Sequence, residues 1–138
     1  MKVKRILIID ASDINNLFLG LAENNFLVSS KNIETKNKHS EKLVPAIAMV
    51  LKNSKLKLED LSAIGVVTGP GSYTSLKIGL TVANTLAWGL NIPVVGFKLE
   101  TFKDKNELVK KIYQKIKLKN KFEKIVEPFY ESAPYYEK

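Results

Sequence analysis

Thr68-Gly69-Pro70-Gly71-Ser72-Tyr73-Thr74-Ser75-Leu76-Lys77-Ile78-Gly79 is the stretch that decides how this chain is read. It follows an apolar run, Ala63-Ile64-Gly65-Val66-Val67, and opens a stretch of helical spacing that reaches Leu90. Glycine tolerates φ > 0 and proline fixes φ, so Gly69, Pro70 and Gly71 make a tight turn. The hydroxyl of Ser72 or Thr74 then caps the helix by accepting an orphan backbone N–H. The result is a strand, a turn and a helix. Such a helix start can hold an anion. Here the G-x-x-x-x-G-K-[ST] and G-x-G-x-x-G spacings are both missing, and a capped turn that binds nothing is the plainer reading.

With 138 residues, 45% of them hydrophobic, the chain has room for one domain with a real core. There is no cysteine, hence no disulfide framework and no thiolate chemistry. The N-terminal stretch is basic and then apolar for only Ile6 to Ile9 before Asp10, too short for a signal-peptide core. No run approaches the ~18 apolar residues of a membrane span. The cytoplasm is therefore the default location. The net charge is +8, carried by 21 lysines and one arginine. Specific nucleic-acid readers lean on arginine, so a lysine-rich balance is weak evidence for one. Lys103 to Lys124 holds nine lysines, among them Lys110, Lys111, Lys115 and Lys117. A solvated helix face is the ordinary explanation, and contact with RNA phosphates the alternative.

Residues 3–9 read as a buried strand ending at Asp10. Ile14–Leu21 and Phe26–Ile33 read as two more, joined by Glu23-Asn24-Asn25, and asparagines suit left-handed turns. Residues 40–53 have helical spacing, with Ser40 as N-cap and Leu43, Ile47, Val50 and Leu51 on one face. Lys55–Leu61 reads as a polar connection. A strand over 62–68, a helix over 73–90, a short strand over Ile92–Phe97 and a helix over 104–118 follow, then an aperiodic tail. The order βββαβαβα predicts an α/β fold with a mixed five-stranded sheet. Three antiparallel strands followed by helix-connected ones is the plan of a single ribonuclease H-like lobe, shared by actin-like ATPase domains.

The helix over 73–90 carries apolar residues across roughly 200° of its surface, where an ordinary surface helix needs about 100°. Gly79, Ala83 and Ala87 stand four apart and permit close approach. The first helix also has a broad apolar arc that ends at Val44. The expectation is an intermolecular helix interface through Leu43, Ile47, Leu51, Tyr73, Leu76, Gly79, Leu80, Ala83 and Leu86.

His39-Ser40-Glu41-Lys42-Leu43-Val44-Pro45, Leu58-Glu59-Asp60-Leu61, the Gly69–Gly79 run and Ile92-Pro93-Val94-Val95-Gly96 together resemble the TsaB (YeaZ) family. Ile8-Ile9-Asp10-Ala11-Ser12 resembles that family's I-D-T-S opening. The resemblance covers about residues 3–102, with Gly69, Pro70, Gly71 and Ser72 as the motif turn. It implies a non-catalytic subunit that pairs through its helices with the catalytic TsaD protein. With the ATPase TsaE, that pair makes N6-threonylcarbamoyladenosine in tRNA. The departures are Ala11 for threonine, Ser75 for glycine, Lys77 for arginine and Asn84 for a common lysine. Family members also carry a second domain, so the chain reads as a shortened form: a lobe over 1–102 and, over 103–138, a remnant C-terminal helix and tail packed on it.

The enzyme alternatives find little support. The TsaD resemblance would require H-x-x-x-H after the last strand, where this chain has Phe97-Lys98-Leu99-Glu100-Thr101, and its one histidine is His39. A single lobe also leaves no nucleotide cleft. A ribonuclease H-like nuclease needs several converging carboxylates; Asp10 is placed for one, but Thr68 ends the fourth strand and no Asp or Glu lies between Gly69 and Phe97. No metal, cofactor or membrane contact is expected. The expected partners are a TsaD homologue and, through the complex, TsaE and tRNA, with a homodimer in isolation. The alternative is a stand-alone RNA-binding homodimer using the lysine-rich segment. His39 reads as a capping or packing residue, and Trp88 as a cover for the third helix or an exposed contact.

Overall fold

The computed structural model describes residues 5–99 and 105–118. Five strands, β1 (Arg5–Asp10), β2 (Asn16–Glu23), β3 (Phe26–Glu34), β4 (Ala63–Gly69) and β5 (Val94–Lys98), form one sheet in the order β3-β2-β1-β4-β5. β1–β2 and β2–β3 are antiparallel, β1–β4 and β4–β5 parallel. Three helices, α1 (His39–Asn53), α2 (Tyr73–Leu90) and α3 (Lys105–Leu118), complete the expected order. No helix among the described residues is long and apolar enough to cross a membrane.

Local chemistry sets the turns. Asn24 and Asn25 take φ 53° and 73°, the left-handed pair that a two-residue hairpin requires. β2 starts two residues later than its apolar pattern suggests. The Asp13 carboxylate accepts the Asn15 N–H at 2.8 Å, and this turn consumes residues 13–15. That bond, with one from the Asn16 side chain, holds the exposed Asp13 carboxyl below its ordinary range. Neither long helix uses the cap expected of it. α1 starts on the Lys38 backbone carbonyl, which accepts from Glu41 and Lys42, so Ser40 is not a cap. The Ser72 carbonyl likewise accepts the Leu76 N–H, and no hydroxyl caps α2. Gly69–Pro70 is a cis peptide. At Gly71 a Cβ would stand 2.5 Å from the Ser12 carbonyl oxygen, because the motif turn lies directly on the β1–β2 loop.

Alternation along β1 divides the core. Leu7 and Ile9 face α1 and α2, whereas Ile6 and Ile8 face the layer supplied by α3. Gly79 carries α2 so close to the sheet that a Cβ would stand 2.9 Å from the Ala11 Cβ. On the other face Leu108, Val109, Ile112, Tyr113 and Ile116 are all buried. α1 ends in a Schellman closure: Leu56 N–H donates to Leu51 O at 2.9 Å and Lys55 N–H to Lys52 O at 3.0 Å. Lys55 occupies the left-handed position, φ 58°, where glycine is usual and a lysine costs about 1–2 kcal/mol.

Candidate partner-docking face

α1 and α2 lie side by side on one face of the sheet, and the groove beside their contact stays open. α1 contributes Val44, Ile47, Ala48 and Leu51. The segment after it contributes Leu56 and Leu58, and α2 contributes Leu86. The volume is about 450 Å³. Val44 is 58% exposed, a large apolar side chain in solvent at the groove wall. Ile78, Val82 and Leu86, four apart on α2, are half-buried against the same core. Lys52, Lys55 and Lys57 complete the lining.

The nine residues expected at an interface divide here. Leu43, Ile47, Leu51, Leu76, Gly79, Leu80 and Ala83 are buried within the chain itself. The wide apolar arc of α2 is consumed by the sheet beneath it and by α1 beside it, so its width does not by itself require a second molecule. Ile47 and Leu51 reach the groove floor, Leu86 its wall, and Tyr73 is half-buried at the start of α2. Sequence reasoning missed Ala48, Leu56 and Leu58. The signal for the last two is the alternation Lys55-Leu56-Lys57-Leu58, read as polar although every second residue is apolar. A short 3-10 turn over Leu58–Asp60 follows it.

The motif turn is occupied by the β1–β2 loop. Gly71 is pressed against Ser12, and the Ser72 N–H donates to the Ser12 carbonyl at 2.8 Å. Asp10 is occupied as well: its Oδ1 accepts the Ser12 N–H at 2.9 Å and the Ser12 hydroxyl at 2.6 Å. Thr68 is buried, its hydroxyl donating to Phe97 O at 3.1 Å. His39 is a packing residue. Its Nε2–H donates to the Asn16 carbonyl at 3.1 Å, which leaves Nδ1 to accept from the Thr35 hydroxyl at 3.2 Å.

Two of the four lysines expected at RNA, Lys111 and Lys115, are engaged with the chain's own fold. Lys111 pairs with Glu107 at 3.6 Å, and the Lys115 ammonium donates to Gly96 O. Lys110 is exposed, and the side chain of Lys117 lies outside the described residues. Trp88 is 77% exposed on α2, across the sheet from α3, so it does not cover that helix. Among the described residues no group of three or more His, Cys, Asp or Glu could hold a metal ion.

A family model described as TsaD: tRNA N6-adenosine threonylcarbamoyltransferase matches residues 29–98. The tRNA threonylcarbamoyladenosine biosynthesis protein TsaB of Bacillus subtilis is 40% identical over 86 residues, 61% of this chain and 38% of that protein. YeaZ from Pseudomonas aeruginosa superposes with a TM-score of 0.64 at 24% identity, over 69% of this chain and 44% of that one. RuvC of T. thermophilus, solved with a Holliday junction substrate, superposes with a TM-score of 0.50 at 17% identity, over 85% and 81%. The likeness to these two structures is one of fold, and the fold is the ribonuclease H-like α/β one. The chain spans less than half the length of the TsaB and YeaZ proteins it matches.

Proposed function

The chain belongs to the TsaD family as a member of TsaB (YeaZ) type, and on that premise we propose that it is the non-catalytic dimerisation and scaffold subunit for synthesis of N6-threonylcarbamoyladenosine in tRNA. Its α1–α2 layer docks a TsaD-type catalytic subunit and holds it in its active arrangement, and TsaE and tRNA join through that complex. The observation that carries this reading is the open apolar groove of about 450 Å³ beside the α1–α2 contact, with Val44 standing in solvent at its wall. An apolar concavity on a helical layer is suited to a partner's helix. A non-catalytic role is supported by the chain's one histidine being committed to Thr35 and Asn16, and by Asp10 being spent on Ser12. The docking layer belongs to the lobe assigned to 1–102; of the remnant assigned to 103–138, α3 braces the other sheet face and the tail lies outside the described residues.

The test is the solution mass of the chain, alone and mixed with the TsaD homologue from the same genome. A discrete heterodimer that modifies tRNA when TsaE is added is the expected result. A chain that ignores that protein yet binds tRNA alone, with steep salt dependence, overturns it in favour of the RNA-binding homodimer.

A further inference from the structure

We propose that Met49 is a site of reversible oxidation by a peroxide, and that the Lys31 ammonium holds the sulfoxide formed there. The chain has no cysteine and two methionines, so its sulfur chemistry is confined to thioethers. Met49 carries the one thioether among the described residues. It stands on α1, 48% exposed, and is not among the residues that line the groove. Exposure admits an oxidant and, on the return path, a methionine sulfoxide reductase.

What separates Met49 from an ordinary surface methionine is its neighbour. The Lys31 ammonium lies 3.2 Å from the Met49 sulfur and donates to it. The sheet register brings the two together. Lys31 stands opposite Leu19, whose side chain is in the core shared with α1, so alternation puts Lys31 on the α1 face of the sheet. Lys31 makes no ion pair among the described residues. Glu34, the nearest acidic residue on its strand, falls on the opposite face and has the Lys36 ammonium 3.9 Å away. An ammonium carries three donors, and a thioether is a weak acceptor. The donor is thus aimed at a poor partner, and oxidation supplies a better one.

In the reaction the sulfur lone pair attacks one oxygen of hydrogen peroxide. The S–O bond forms as the O–O bond breaks, and the sulfur is oxidised by two electrons. The second oxygen takes the proton from the first and leaves as water. The sulfoxide oxygen carries partial negative charge, and Lys31 donates to it in a charge-assisted hydrogen bond that replaces the weak contact with sulfur. Methionine oxidation usually loosens packing, because it sets a polar group among apolar ones. Here the same change fastens β3, the edge strand of the sheet, to α1.

The experiment exposes wild type, Lys31→Leu and Met49→Leu to hydrogen peroxide, follows the Met49 peptide by mass spectrometry, and compares urea unfolding before and after. Oxidised wild type is expected to unfold at a urea concentration higher by about 0.3 M, the effect of one partly exposed charge-assisted hydrogen bond. Lys31→Leu should oxidise at Met49 and gain nothing. Met49→Leu should not shift, which assigns the gain to this sulfur. Reductases for both sulfoxide epimers should return wild type to its starting midpoint. Equal shifts in oxidised wild type and oxidised Lys31→Leu would overturn the role of Lys31. A Met49 left unoxidised by peroxide that fully converts a short methionine peptide in the same tube would overturn the site itself.

Discussion

The two layers that cover the sheet finish their packing differently. On one face the helix described there, α3, buries Leu108, Val109, Ile112, Tyr113 and Ile116, and two of its lysines turn to its own fold: Lys111 to Glu107 and Lys115 to Gly96 O. On the other face α1 and α2 bury a larger set of apolar residues and still leave Val44, Ala48 and Leu86 around an open groove. The lysine-bearing helix thus has its described apolar residues closed off, and the apolar surface left over lies on the α1–α2 side. Charge density marks a solvated face more readily than a binding site, whereas apolar surface left open in a groove carries a standing drive to be covered.

The largest effect expected separates the two uses of the α1–α2 layer. Ala83 is fully buried, so Ala83→Arg forces a charge into the core and should cost about 4 kcal/mol or more in a urea melt. Val44→Arg, at an exposed site on the same layer, should change stability by no more than about 0.5 kcal/mol and abolish partner binding. Folding intact in Ala83→Arg, or lost in Val44→Arg, would erase the distinction. A pair of glycines sharpens it next. Gly79→Ala should destabilise by about 1–2 kcal/mol, because its Cβ meets the Ala11 Cβ at 2.9 Å. Gly89→Ala, with nothing within 4 Å, should instead gain up to about 1 kcal/mol from helix propensity alone.

Much of the fold is legible in the sequence because its signals are local. Asn24-Asn25, Gly69–Gly71 and Asn91, the left-handed residue at φ 57° that ends α2, punctuate the elements near where they occur. The periodicity of 73–90 matches α2 residue for residue. The caps are less legible, since a serine near a helix start does not reveal whether its hydroxyl or its backbone closes the turn. The site is the least legible part. Whether Ala83 or Val44 faces the neighbouring helix depends on how α1 and α2 lie against each other, and no spacing within one helix encodes that. Leu56 and Leu58 were hidden for the same reason, turned inward by the Schellman closure at Lys55.

The smallest effect tests the closed face. Burial raises the Tyr113 hydroxyl above its ordinary value near 10, while the backbone N–H groups of Asn25 and Asn24 pull it down. A group raised in the fold contributes stability that is complete below its unfolded value and is lost as pH rises through the folded one. Wild type should therefore lose stability relative to Tyr113→Phe as the pH climbs past about 10, and the two should run parallel below it. Parallel curves throughout would mean that α3 leaves this hydroxyl in solvent.

The most direct test of the docking account is amide hydrogen exchange on the chain with and without the TsaD homologue. Protection gained over residues 44–58 and 78–90, with residues 105–118 unchanged, is the predicted result. Protection gained over 105–118 while the groove segments exchange as before would contradict it.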